Sequence, residues 1–306
     1  MTEEKRYATP VALRAAINDR LRAAVAKDQH RTLQDLLRQF AYDRLLYRIF
    51  SSDDAGRWVL KGATALLARL QGDARHSIDV DLYDQAGSLD DAEAALRAAA
   101  ARDVGDYFRL VLSPGRRIAD AGVALRISAT AFIGATEFAR FNVDLVAGTG
   151  MTGTPDEAGP LVPIALPGVP QIAYRIYPLA DHIADKILAI VERHARGTGA
   201  AISSTRYRDL VDLVVIARRE VVVADALSVA LGEQARRRSI DFPDQLRPPA
   251  DAAWRTGYAR IARDLTSLHD IDFDQAVETV SRFVDPVLQR RARGAWAPEQ
   301  QAWVDH

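Results

Sequence analysis

Trp58-Val-Leu-Lys-Gly-Ala-Thr64 and, a short way on, Arg75-His-Ser-Ile-Asp-Val-Asp-Leu82 are the two runs whose reading decides the fold. In the second, apolar Ile78, Val80 and Leu82 alternate with Asp79 and Asp81, the period of a β-strand from Ile78 to Tyr83. Residues two apart on a strand project from one face, so both carboxylates point the same way while Val80 and Leu82 pack behind them. The first run reads as a strand, Trp58–Leu60, running through Lys61-Gly-Ala-Thr64 into a helix from Ala65 to Leu70. At that turn Gly62 and Ala63 leave the backbone bare, so a phosphate can approach free N–H groups at a helix N-terminus. Thr64 adds a hydroxyl donor, and Lys61 either reaches phosphate or braces the carboxylates.

Two carboxylates held side by side repel each other unless a cation sits between them. Ligands that are all oxygen suit a hard ion, Mg²⁺ or Mn²⁺, which takes one or two carboxylates and completes its shell with substrate phosphates. Asp144, in Phe141-Asn-Val-Asp-Leu145, has the same apolar flanks and is the candidate third carboxylate. Three such groups on adjacent strands would serve a two-metal site. An isolated Asp-x-Asp at a strand end is usually just solvated. Here a phosphate loop precedes it, and the pair together indicate chemistry on a nucleotide.

Working outward, Thr9-Pro10 is an N-cap with proline at the first helical position, followed by a stripe at Leu13, Ile17, Leu21 and Val25. A second helix is expected over 33–50, with Leu36, Leu37, Phe40, Leu45 and Ile49 inward. Ser88-Leu-Asp-Asp91 opens an alanine-rich helix to about Arg102. Strands are expected at Tyr107–Leu112, Val123–Phe132, Phe138–Val146 and Ile172–Tyr177. The Gly- and Pro-rich stretch 148–170 reads as a linker. Beyond Pro178 everything reads as helix, about 179–195, 206–218, 223–237, 251–266 and 272–292. The expected architecture is a mixed α/β (α+β) lobe over 1–170, then a mainly helical lobe over 171–306.

The bulk numbers limit the alternatives. The 306 residues are 48% apolar and 26% charged, ordinary for a globular chain. No apolar run is long enough to span a membrane, and the first residues lack a secretory core, so a cytoplasmic location without membrane attachment is expected. Cysteine is absent, which excludes disulfides, thiolate catalysis and zinc–sulfur sites. A net charge of −1 gives no overall field toward nucleic acid. Only four of the 40 basic residues are lysine: Lys5, Lys27, Lys61 and Lys186. Where arginine is so favoured, a retained lysine is a candidate for a place a broad guanidinium cannot fill.

Lys186 lies on a helix with the apolar stripe Ile183, Ile187, Ile190 and Val191; Arg193, seven positions on, shares its face and suits a bound triphosphate. The plainer alternative is a solvated basic face paired to Asp185 or Glu192. His76 and His182 are better read as structural histidines than as ligands. The basic clusters Arg236-Arg-Arg238 and Arg290-Arg-Ala-Arg293 are candidate RNA contacts, although such arginines are more often solvated at helix ends.

Lys61-Gly-Ala-Thr64 and Arg75-x-Ser-x-Asp-x-Asp-Leu82, taken with Ala184-Asp-Lys-Ile-Leu188 and Arg208-Asp-Leu-Val-Asp-Leu213, resemble the AbiEii/MenT nucleotidyltransferase toxins, within the polymerase-β-like nucleotidyltransferase superfamily. The resemblance covers roughly residues 57 to 217. It implies a polymerase-β-like lobe with a mixed sheet and makes Asp79 and Asp81 metal ligands, with Asp144 the superfamily's third carboxylate. Gly62 and Ser77 would cradle phosphate within a nucleotide-binding run that takes in Lys61, Ala63, Thr64 and Arg75. Lys186 would bind the nucleotide, and Asp209 would be the acidic residue essential to activity, with a salt bridge to Lys186 expected across the helix pair. Implied too are an NTP substrate with Mg²⁺ or Mn²⁺, a tRNA 3′ end as acceptor, arrest of translation, and a cognate antitoxin partner. Two departures stand out: Ala63 replaces the usual second Gly or Ser, and Ile78 stands where an acidic residue is common. The rivals are nucleotidyl transfer to a small molecule or a protein hydroxyl, and a non-catalytic nucleotide-binding module.

Overall fold

A computed structural model describes residues 7–28, 31–70, 73–118, 124–148, 150–191, 194–196, 200–202, 206–241 and 243–305. The chain divides into two compact units: Met1–Gly72 with His76–Gly150 and Pro155–Ile176, and Tyr177–His306 with Asp73–Arg75 and Met151–Thr154.

The first unit runs α1 (Pro10–Lys27), α2 (Leu33–Phe50), β1 (Trp58–Lys61), α3 (Gly62–Arg69), β2 (Asp79–Asp84), α4 (Leu89–Ala100), β3 (Phe108–Leu112), β4 (Arg116–Arg117), β5 (Ala124–Ile133), β6 (Thr136–Ala147), β7 (Asp156–Ala158) and β8 (Tyr174–Ile176). The helix starts follow their caps: the Thr9, Thr32 and Ser88 side chains each accept from a backbone N–H in the first turn. The strands form one eight-stranded sheet in the order β3-β5-β6-β2-β1-β8-β7, with β4 beside β5. It is mixed, since β2–β6 and β1–β8 are parallel and the other pairs antiparallel. Period-2 alternation sends Val80, Leu82, Phe141, Val143 and Leu145 into the core, where α2 and α4 pack on β6. Each such side chain stabilises by roughly 1.5–3 kcal/mol when fully buried. The other face of β2 and β6 is left to polar residues.

Charge also enters this core. Arg44 and Arg48 of α2 are fully buried and converge on Asp106 at 2.8 and 2.7 Å. Burial alone would raise the Asp106 carboxyl, but the two guanidinium partners outweigh it and hold it below its usual range. Asp43, also fully buried, accepts from Leu161 N, Val162 N and the Tyr174 hydroxyl at 2.9, 2.9 and 2.7 Å.

That anchorage corrects the expected linker: within 148–170, residues 156–158 add a strand and 161–162 are pinned to α2. Gly and Pro there set turns rather than slack. The helix after β1 also starts at Gly62, three residues earlier than the apolar pattern indicates.

The second unit runs α5 (Leu179–Val191), β9 (His194–Arg196), β10 (Ala200–Ile202), α6 (Tyr207–Arg219), β11 (Val222–Val223), α7 (Ala224–Arg238), α8 (Ala252–Ala262), α9 (Phe273–Leu288), β12 (Ala295–Ala297) and β13 (Ala302–Val304). Helix α5 packs on α6 and α7, and α6 on α8 and α9. The region is not wholly helical as expected: β9 pairs with β10, and β11, β12 and β13 form a three-stranded sheet. Strands of two or three residues are too short for alternation to register. Trp296 and Trp303 of that sheet close on Phe283, and their indole N–H groups donate to Ala217 O and Phe283 O at 2.7 and 2.9 Å.

Candidate functional site

Sheet register arranges the first unit's polar residues in two rows. Asp81 is aligned with Asp144 of β6 on one side and Lys61 of β1 on the other, and Asp144 is aligned with Arg126 of β5. The row therefore reads Arg126, Asp144, Asp81, Lys61: two carboxylates flanked by two cations. One step along, Asp79 is aligned with Asn142, and Asn142 with Ser128. These pairs are bonded too. Asn142 Nδ2 donates to Asp79 Oδ1 at 3.0 Å, and Ser128 Oγ donates to Asn142 Oδ1 at 3.1 Å.

Arg126 dominates the electrostatics. Its Nε and Nη2 donate to the two oxygens of Asp144 at 2.7 and 2.6 Å, and Nη2 stands 3.6 Å from Asp79 Oδ2. The bond to Asp144 is the main reason its proton affinity rises above the ordinary value; burial opposes it, and the charges of Asp144, Asp79 and Asp81 add to it. Neither Arg126 nor Asn142 was marked by the sequence; the only signal was a lone charge in an otherwise apolar and small-residue strand.

Gly62 is fixed by its neighbour. Its φ is +61°, a conformation that side chains disfavour, and a Cβ there would overlap Asp81 Oδ2 and lie 2.5 Å from Cγ. The glycine lets the first turn of α3 come against the carboxylate, and no side chain caps that turn. Ala63 is buried beside it. Lys61 lies over the Tyr83 ring, 5.7 Å from its centroid. Thr64 differs from expectation: its fully buried hydroxyl donates to Asp79 O at 2.7 Å, tying α3 to β2 from within. Ser77 precedes β2, and its hydroxyl donates to the same Asp79 carbonyl at 2.8 Å. Asp79 is thus held from several sides.

A second cluster belongs to the second unit. Lys186 of α5, 5% exposed, donates through Nζ to Asp209 Oδ1 at 3.1 Å and Asp212 Oδ2 at 2.5 Å. Asp209 and Asp212 stand one turn apart on α6 and so share a face. Arg75 Nε and Nη2 grip Asp212 at 3.0 Å each, and Arg206 reaches Asp209 at 3.3 Å. Burial would lower the Lys186 ammonium, but Asp212 and Asp209 more than reverse this and leave it above its ordinary value. Burial would likewise raise Asp209, yet Lys186 and Arg206 hold it below. The expected Lys186–Asp209 bridge is present, and Asp212 and Arg75 complete it.

Arg193 lies outside the described residues. Among the described residues no group of three His, Cys, Asp or Glu side chains is placed to hold a metal. His76 bonds to Gln39 at 3.0 Å, and His182 is buried against Tyr177. Arg236 and Arg237 pair with Glu233, and Arg238 with Asp185, so this basic cluster is largely neutralised within its own unit. Among the described residues no helix is long and apolar enough to cross a membrane.

Compared with protein families, residues 44–279 match the model described as nucleotidyl transferase AbiEii toxin, type IV TA system. The match spans both charged clusters. No individual curated protein matches the sequence.

Proposed function

The chain belongs to the AbiEii nucleotidyltransferase toxin family of type IV toxin–antitoxin systems, and from that premise we propose that it transfers a nucleotidyl group from an NTP to the 3′ end of tRNA, halting translation until a cognate antitoxin restrains it. The observation that carries the reading is the juxtaposition of Asp79 and Asp81, on one face of β2, with the uncapped first turn of α3 at Gly62. An NTP needs both features: negative charge to organise a cation beside the phosphates, and free N–H groups to receive the phosphates themselves.

The donor set fits a hard divalent ion, being two adjacent carboxylates with no sulfur or imidazole in the rows. Asp79 and Asp81 would hold it, and when bound it would supply charge neutralisation at the triphosphate and activation of the attacking hydroxyl. The other roles fall to the chain itself. Asn142 and Thr64 keep Asp79 in place through its carboxylate and its carbonyl. Gly62 and Ala63 present backbone to phosphate, and Lys61 offsets Asp81 from the neighbouring strand. Lys186, kept cationic by Asp209 and Asp212, binds the nucleotide, and Arg75 fixes Asp212 for that purpose.

The test is to incubate purified protein with Mg²⁺, each α-labelled NTP in turn and total tRNA, and to resolve the products on a gel. Label should enter full-length tRNA with one or two NTPs and be lost in Asp81→Ala. Label that enters only protein, or no label with any NTP, would overturn the tRNA reading.

A further inference from the structure

We infer that Arg126 is a built-in cation of the carboxylate site: it reserves Asp144, so that Asp79 and Asp81 hold a single divalent ion and protein fills the place of a second. The inference rests on the metal-dependent reading above and deepens it. Three carboxylates on adjacent strands would ordinarily invite two ions, each sharing ligands with the other. Here both oxygens of Asp144 are already engaged, at 2.7 and 2.6 Å, by one planar guanidinium. That two-point hold is the geometry in which arginine binds carboxylate most strongly. The same Nη2 leans toward Asp79 Oδ2 at 3.6 Å, so the one guanidinium reaches both Asp144 and Asp79.

Register makes this a property of the fold rather than of one rotamer. Arg126 is the direct cross-strand partner of Asp144, and Asp144 of Asp81. Lys61 closes the far end of the row. Among the described residues the two rows set the cations Arg126 and Lys61 against the carboxylates Asp79, Asp81 and Asp144, a balance that one divalent ion completes. The Arg126 side chain is 42% exposed while Asp144 is 16% exposed, so the arginine covers the carboxylate from the solvent side. Arg126 is accordingly a positioning residue, acting through Asp144 and Asp79.

The experiment is electron paramagnetic resonance of the full chain titrated with Mn²⁺ in the presence of inorganic triphosphate, the part common to every NTP. The wild type should bind one Mn²⁺ with the spectrum of an isolated ion. Arg126→Gln should take a second and show the exchange-coupled spectrum of a close pair, and Arg126→Gln with Asp144→Asn should return to one. If Arg126→Gln folds poorly, Arg126→Met, which keeps much of the side chain's length but removes the cation, is read in the same way. A coupled pair in the wild type, or no second ion in either Arg126 variant, overturns the inference. Mn²⁺ binding indifferent to both Asp79→Asn and Asp81→Asn would instead overturn the metal-dependent reading beneath it.

Discussion

Gly62→Ala tests whether the close approach of α3 to Asp81 is what the site depends on. Two costs are separable. Placing a side chain at φ +61° costs roughly 1 kcal/mol from the backbone alone. The new Cβ would also overlap Asp81 Oδ2, with Cγ at 2.5 Å and the Asp81 Cβ at 3.0 Å, so the carboxylate must rotate away or α3 must lift off β2. Overpacking of this kind costs about 1–3 kcal/mol, which brings the total to about 2–4 kcal/mol. In an Asp81→Ala background the Oδ2 and Cγ contacts vanish, leaving the backbone cost and a tight but adjustable Cβ contact. Urea unfolding of the four proteins in the cycle should therefore show a coupling of about 1–3 kcal/mol between the two positions. Equal costs of Gly62→Ala in both backgrounds would mean that the glycine is there for its backbone angle only, and the argument that it admits the carboxylate would fail. Nucleotidyl transfer by the Gly62→Ala single variant should fall much further than its stability, because the displaced group is a proposed metal ligand.

Lys186→Arg should lose roughly tenfold or more in transfer rate although the charge is kept, since a broad guanidinium does not fit a buried slot between two carboxylates; a near-normal rate on the tRNA gel would reduce Lys186 to a general positive field. Asp79→Ala should abolish transfer yet stay within about 1 kcal/mol of wild-type stability, because relief of repulsion from Asp81 offsets the lost Asn142 bond, and a thermal melt beside the activity assay checks both halves. For Asp43, burial pushes the carboxyl up to about 6, against the opposing bonds from Tyr174, Leu161 and Val162. The native chain therefore keeps a proton that the unfolded chain has already released. Its contribution to stability is greatest near pH 4 and declines as pH rises through 6, by about 3 kcal/mol. The stability advantage of wild type over Asp43→Asn should shrink by about that amount between pH 4 and pH 7 in denaturant titrations, and a constant difference would refute the assignment.

The strand that carries Asp79 and Asp81 was legible because its signal is local: Val80 and Leu82 alternate with the acids, and alternation needs only neighbours. Caps at Thr9 and Ser88 were legible for the same reason. Arg126 was not. Its partner stands 18 residues away, and only the β5–β6 register brings the two opposite each other. Asp43 sits in a helix rich in charge, where nothing local separates a buried acid receiving two backbone N–H groups from a solvated one. Thr64 shows the opposite failure. Its composition fitted a phosphate loop, but the helix begins at Gly62, and that early start turns the hydroxyl inward beneath β2. Lys186 and Asp209 were found as a pair, while Asp212 and Arg75, both inside the recognised motifs, completed the cluster only once α5 and α6 were packed.

The indole side chains are unevenly shared out, and this gives the chain a natural optical label for each unit. Of its four tryptophans, Trp254, Trp296 and Trp303 belong to the second unit, two of them packed against Phe283, while Trp58 alone reports from the first. Trp58 is 1% exposed, lies three residues from Lys61 on β1, and has the Arg57 guanidinium 5.5 Å from its ring. Its emission therefore follows the strand that carries Lys61 beside Asp81, whereas Trp296 and Trp303 follow the aromatic cluster around Phe283 and Trp254 follows the contact of α8 with Tyr207. Replacing Trp58 by phenylalanine silences the first reporter. The difference between the two fluorescence melts then isolates the unfolding of the carboxylate-bearing sheet from that of the unit holding Lys186.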